Sequence, residues 1–322
     1  MITDQVFIWG AFGLFVVAML VVDLGVLGGK NRTIGIKEAL VWSGIWVVVA
    51  LVFNVGIYFF FQGSERALNF LAGYLIERAL SLDNIFVFLV IFSYFGVAPH
   101  LQYKVIFWGI IGAVVLRALF IAAGIALIAK FHWVIYIFGA LLVWTGIKMA
   151  LQKGEQIDLE QNPVVRLCRR FIPLTEGYEG DRFFVKREGR RLATPLFVVL
   201  LVVSVMDVVF AIDSVPAVFA ITLDPFIVFS SNVFAVLGLR ALYFALAGLM
   251  QLFHHLHYGL SLILVFVGAK MLLADLYHIP TVVALGVLAL ILAGSVVFSI
   301  FYPQPAPPDP VHQPTDQTKA DL

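Results

Sequence analysis

The chain has 322 residues, 62% of them hydrophobic and only 13% charged, with a formal net charge of +1. Soluble domains lie near 45–50% apolar and about 25% charged, so this composition excludes a water-soluble enzyme or binding domain and indicates an integral membrane protein. The near-zero charge gives no basis for a nucleic-acid partner, and the single cysteine, Cys168, excludes an internal disulfide.

The N-terminus "MITDQVFIWG" has no basic stretch and carries Asp4, so neither a cleavable signal nor a transit peptide is expected. A membrane span needs about 20 mostly apolar residues. Nine stretches qualify, at roughly 6–27, 39–61, 67–92, 104–128, 132–150, 194–221, 226–250, 258–276 and 280–301. The sequence therefore predicts an all-α polytopic membrane protein, with a transmembrane domain over 1–302. Asp23, near the end of the first span, has Lys30 as its candidate partner. The loop after that span, "GGKNRTIGIK", holds Lys30, Arg32 and Lys37.

Between the fifth and sixth spans lies a polar loop, 151–193, which holds nine of the 21 Lys and Arg residues. Excess Lys and Arg mark cytoplasmic loops. Counting outwards from this loop places the N-terminus outside, the first loop inside and the C-terminus inside. "RFFVKREGRRLAT" alternates around a glycine turn, as a short hairpin does. "HHLH", His254 to His257, falls in a cytoplasmic turn, where interfacial polarity is the plainer reading and metal capture the sharper one. The tail 303–322 is Pro-rich and polar and is expected to be disordered.

The third span reads "ERALSLDNIFVF" at 77–88, and the sixth echoes it as "DVVFAIDSVPAV" at 207–218. In both, an acid is followed six residues later by an aspartate and a small polar residue: Glu77, Asp83, Asn84 and Asp207, Asp213, Ser214. "LRAL" recurs in the next span of each set, giving Arg117 and Arg240. "YIFGALLVWTGIKM" and "YGLSLILVFVGAKM" close the two sets, with Gly146 matching Gly268 and Lys148 matching Lys270. Each set has three spans, 67–150 and 194–276. An odd number of spans inverts the second copy, so a 3+3 inverted-topology repeat is expected, an architecture whose binding site lies near the membrane midplane.

Four carboxylates at mid-bilayer cost on the order of 10 kcal/mol on insertion scales before any pairing. The structural reading is that they neutralise Arg117 and Arg240. Two arginines cannot balance four acids, and intramembrane acids mark ion or proton pathways by default. Arg117 and Arg240 are then counter-ions of a transport site. Six residues along a helix separate two acids by about 9 Å and about 120°, so one ion cannot meet both acids of a single helix. Placed by the inversion, Glu77 and Asp213 share an outer layer and Asp83 and Asp207 an inner one. Pro216 frees the Ile212 carbonyl as an extra donor beside Asp213. Asn232 and Lys270 are secondary site candidates. Lys148 is expected to snorkel to the cytoplasmic surface. All these donors are oxygens, with no cysteine in a span and no histidine at mid-depth, which suits Mg, Ca or Mn rather than Zn or Cu.

"GYLIERALSLDNIFVF", "VMDVVFAIDSVPAVFAIT", "SNVFAVLGLRALYFALAG" and "FVGAKML" resemble the TerC family of bacterial membrane proteins, most closely its Alx-type members, which also share "FFVKREGRRLATPL". The resemblance covers about 7–302. It implies export of manganese across the inner membrane, in a family named for tellurium resistance, with Glu77, Asp83, Asn84, Asp207, Asp213 and Ser214 at the acidic motifs. It implies Mn²⁺ as a substrate and no resident cofactor, with the bilayer, the cation and protons as partners. The alternative is a non-transporting membrane assembly or stress-response factor, acting under tellurite or pH stress. No enzymatic activity is expected: paired aspartates suggest an intramembrane aspartyl protease, but the Gly-x-Gly-Asp signature is absent around Asp207 and Asp213.

Overall fold

The structure, a computed structural model, describes residues 2–27, 35–60, 63–151, 173–175, 177–187, 190–247, 256–277 and 279–301. Among them are ten helices and one two-stranded sheet: α1 Ile2–Leu27, α2 Ile36–Phe60, α3 Ser64–Tyr94, α4 Pro99–Lys130, α5 Val134–Leu151, β1 Phe184–Arg187, β2 Arg190–Ala193, α6 Pro195–Phe219, α7 Pro225–Leu237, α8 Leu239–Ala247, α9 Leu256–Leu272 and α10 Thr281–Phe301. Lys30, Arg32, Cys168, His254, His255 and the 303–322 tail lie outside the described residues, as do most of 151–172 and the side chains of Asp83 and His257.

Local sequence explains the helix limits. α4, α6 and α7 each open on a proline at the first helical position, where its missing N–H costs no hydrogen bond and its φ is already helical. At α7 the preceding Asp224 accepts from the Phe226 and Ile227 amides, at 3.0 and 3.4 Å, a side-chain cap of otherwise orphaned donors. α3 stops at Gly96, whose φ of 60° is left-handed. The Gly96 amide returns to the Ser93 carbonyl and the Val97 amide to Phe92, and Val97 and Phe92 share one apolar cluster. This is a Schellman ending. α6 continues through Pro216 to Phe219.

Seven segments are long and apolar enough to cross a membrane, with α7 and α8 counted together as Pro225–Leu246. Of the nine expected, α3 is long enough but carries Glu77, Arg78 and Asp83 in its centre, and the apolar part of α9, Tyr258–Leu272, is short. The expected span 226–250 is broken at Gly238 into α7 and α8. Large apolar side chains remain uncovered along the outer helices, such as Leu14 at 73% and Leu290 at 74% exposure, as expected where the surrounding solvent is lipid.

α3, α4, α6 and α7 form the centre, with α3 against α6 and α7, and α4 against α6 and α7. α5 lies along α9, α2 packs on α3 and α8, and α10 on α3 and α9. Small residues permit the α5–α9 approach: a Cβ on Gly139 would come within 3.1 Å of the Gly268 carbonyl oxygen, and one on Gly146 within 2.8 Å of the Ser261 carbonyl oxygen. The Ser261 hydroxyl donates to the Gly146 carbonyl at 2.6 Å. Two apolar clusters fill the centre, one containing Ala113 and Val203, the other Ile121 and Ala211. On α4 and on α6, one helical turn separates each of these residues from the charged position between them.

The hairpin expected in the polar loop is present. β1 and β2 pair antiparallel, from Phe184 opposite Ala193 to Arg187 opposite Arg190. It is held at the start of α6 and the ends of α3 and α4. The Thr194 hydroxyl donates to the Arg182 carbonyl at 2.7 Å, the Tyr178 hydroxyl to the Phe95 carbonyl at 2.7 Å, and Lys104 pairs with Asp181 at 3.1 Å.

Candidate functional site

Between the two central clusters lies a buried layer of charge, to which four helices contribute. Arg117 of α4 is 1% exposed, Glu77 of α3 is fully buried, and Asp207 of α6 is 3% exposed. The guanidinium grips Asp207 side-on, with Nη2 donating to Oδ1 at 3.0 Å and Nε to Oδ2 at 3.2 Å. Nη1 donates to Glu77 Oε1, to Asn232 Oδ1 of α7 at 3.2 Å, and to the Ser214 hydroxyl at 3.5 Å. Such a two-bond grip is the strong form of a carboxylate–arginine pair. Packing explains why the group is here: the Cβ atoms at these positions point into the four-helix centre, away from lipid, where an unpaired charge is costly.

The layer is not balanced. Two acidic side chains meet one guanidinium, so acids outnumber bases in the group. Glu77 Oε2 and Asn232 Nδ2 are buried without a hydrogen-bond partner, although buried polar atoms are normally paired. A cavity of about 10 Å³ lies beside Asp207, walled by Phe88, Ile106, Gly109, Val203 and Leu239; it is about the size of one water molecule. Among the described residues, no three His, Cys, Asp or Glu side chains are grouped to hold a metal ion. Arg117 stands between Glu77 and Asp207.

The remaining candidates fall around this layer. Asp213 is half-buried on α6, and its carboxylate accepts from the Thr145 hydroxyl of α5 at 3.1 Å. Asn84 and Lys270 are buried. Lys148 is exposed at the end of α5, with its ammonium 5.5 Å from the centre of the Trp144 ring. Asp83 is on α3, about 9 Å along the helix from Glu77.

Two expectations need correction. Among the described residues, Arg240 pairs with no acid of the two motifs. It pairs with Asp23 of α1 at 3.0 Å and with that residue's carbonyl, both side chains buried. Asp23 has Arg240 as a partner; Lys30, its expected partner, lies outside the described residues. The expected layers also change: Glu77 and Asp207, assigned to different depths, share one guanidinium.

Arg78 was not recognised in the sequence as a site-shaping residue. Its guanidinium donates to the Ala235 carbonyl at 3.1 Å and to the Ser43 hydroxyl at 2.9 Å. It lies against Gly238, where a Cβ would come within 2.5 Å of Nη1. Ala235 is in the last turn of α7, where carbonyls lack helical partners and the helix dipole favours a cation. The available signal was an arginine inside an apolar span, next to Glu77, with valine at the matching position 208.

The integral membrane protein TerC family model matches residues 62–306. The chain belongs to the TerC family. This TerC-family chain is 49% identical over 300 residues to the uncharacterized membrane protein STKORF319 of Myxococcus xanthus, covering 93% of this chain and 94% of that one. It is 47% identical over 300 residues to the Salmonella typhi protein named "Putative membrane-bound redox modulator Alx", covering 91% and 93%. The same-named protein of Escherichia coli strain K12 is 46% identical over 288 residues, covering 87% and 90%. No solved structure matches.

Proposed function

We propose that this TerC-family protein exports a divalent cation, with Mn²⁺ as substrate, across the bacterial inner membrane by alternating access. In this reading it has nine spans, a periplasmic N-terminus, a cytoplasmic C-terminus and a 3+3 inverted repeat over 67–150 and 194–276. The observation that carries the proposal is the Arg117 guanidinium held between Glu77 and Asp207, the first acids of the two motifs. A divalent ion entering the layer competes with the guanidinium for the same two carboxylates. Its binding releases Arg117, and this difference in contacts between the filled and empty states is what shifts the helices. Asp83 and Asp213, on opposite sides of the layer under the inversion, receive and release the ion. Asn84, Ser214 and Asn232 add neutral oxygens. Such a set suits a hard cation.

Packing supports the inversion. Exchanging the two motif sets turns the α3–α7 contact into α6–α4 and the α5–α6 contact into α9–α3, and all four contacts occur. Gly139 corresponds to Ser261 and Gly146 to Gly268, so the exchange also turns the Gly139–Gly268 approach into the Ser261–Gly146 approach.

Manganese flux into sealed proteoliposomes, with and without a pH gradient, tests the proposal. Glu77→Gln and Asp207→Asn keep side-chain volume and remove charge, so both should reach the membrane and abolish flux. Flux retained in both overturns the transport site. The relatives' name favours a second reading, a membrane stress or redox factor. That role survives the isosteric changes and fails on alteration of the 151–193 loop. With Cys168 alone, it cannot use a dithiol within the chain.

A further inference from the structure

We propose that the β1–β2 hairpin is a docking surface for anionic phospholipid headgroups at the membrane face where α6 begins. The first reason is the register. Lys186 lies opposite Arg191 and Arg187 opposite Arg190, and all four are exposed. Like charges directly across an antiparallel pair repel and destabilise the ladder. A ribbon with two such rungs in succession is a surface that anions hold together.

Nearby acids relieve it only at Arg187. Glu179 pairs with Arg187, and Asp181 pairs with Lys104 of α4. Among the described residues, no carboxylate pairs with Arg182, Lys186, Arg190 or Arg191. By sequence, with Glu188 counted, 177–193 has five bases and three acids, a net charge of +2.

Position selects the partner. Thr194 alone separates β2 from α6, and Phe184 of β1, 53% exposed, lies with its ring centre 4.5 Å from that of Phe197 in the first turn of α6. An exposed aromatic at a span end sits naturally at the lipid interface. A four-residue strand spans only about 13 Å. The basic rungs therefore lie within reach of the headgroup layer, roughly 5–7 Å deep on each side, and of its field, which extends about 8 Å further at physiological salt. Successive rungs face opposite sides of the ribbon, so one small anion neutralises one rung. A layer of lipid phosphates entered by the ribbon tip neutralises both.

Hydrogen–deuterium exchange of the full chain in nanodiscs tests this independently of any transport reading. Amides of 184–193 should exchange roughly tenfold more slowly in phosphatidylglycerol–phosphatidylcholine discs than in phosphatidylcholine alone, the polybasic attraction being worth several-fold per charge. The gain should vanish at 0.5 M NaCl, as a screened interaction does, and in Lys186→Gln/Arg190→Gln/Arg191→Gln. Inorganic phosphate added to phosphatidylcholine discs should not reproduce it. Equal protection in the two lipids, a phosphate-only effect, or lipid dependence retained by the triple variant would each overturn the proposal. If the variant misfolds, the comparison of lipids in the unaltered chain still decides.

Discussion

The two motif sets carry the same "LRAL" stretch and put it to different use. In α4 the helix is continuous, and Arg117 reaches Glu77 and Asp207. In the second set the helix breaks at Gly238, immediately before Leu239 and Arg240, and Arg240 turns to Asp23 of α1. The difference traces to two positions. Where the second set has Gly238, the first has Val115; where α3 has Arg78, α6 has Val208. Arg78 takes the Ala235 carbonyl that a continuous helix would use for its own ladder, and Gly238 leaves room for the guanidinium. A side chain inserted into the ladder is an identifiable cause of a helix break. The arginine that keeps a continuous helix sits in the candidate site, and the one beyond the break clamps α1 to the bundle.

The largest effect should come from separating these two roles. Arg117→Leu strands two buried carboxylates and Arg240→Leu one, a loss of about 3–5 kcal/mol or more, and both should reduce protein levels and melting temperature. The second change should be rescued by Asp23→Leu, because replacing a whole buried pair by apolar residues is often neutral. Manganese flux per molecule should then be normal. No partner change should restore flux to Arg117→Leu. Flux lost in Arg240→Leu/Asp23→Leu would mean that both arginines serve the site, and the contrast would fail.

Gly238→Val asks whether Arg78 makes the break. The added carbon atoms meet the guanidinium, and overpacking of this kind costs about 1–3 kcal/mol. Arg78→Val/Gly238→Val, which reproduces the matching pair Val208 and Val115, should recover much of the loss in thermal melting. Additive losses would show that the two positions are not coupled.

Gly139→Ala and Gly146→Ala probe the α5–α9 contact. Both place a methyl group against a backbone oxygen, at 3.1 and 2.8 Å, so losses of about 1–3 kcal/mol are expected, the larger for Gly146. Wild-type melting in either variant would remove the close approach at that end.

The smallest effect is expected at the surface. Asp275, after α9, accepts from the Tyr136 hydroxyl and lies 3.4 Å from His132 Nε2. The hydroxyl holds this exposed carboxylate below its ordinary range. A lowered pKa stabilises above the unfolded value and is lost as pH falls through the folded one. Asp275→Asn should melt slightly below the unaltered chain at neutral pH, and the difference should close in acid. A gap that widens in acid would contradict this pairing.

The sequence alone specified the apolar segments, the acidic motifs, their echo and the hairpin. These are legible because the information is local. In lipid a helix must satisfy its own backbone, so each long apolar run declares itself, and a charge within one stands out. Glu77, Asp207, Ser214, Asn232 and Arg117 were all visible in this way. What tertiary structure decided was which charges meet. The identical immediate neighbours of Arg117 and Arg240 could not distinguish them, since the break before Arg240 lies where Arg78 contacts Ala235 across 157 residues of chain. The packing of α3, α4 and α6 likewise decided that Glu77 and Asp207 share one guanidinium. Helical periodicity places a side chain on a face of its own helix, whereas the partner across the bundle is chosen by how the other helices pack.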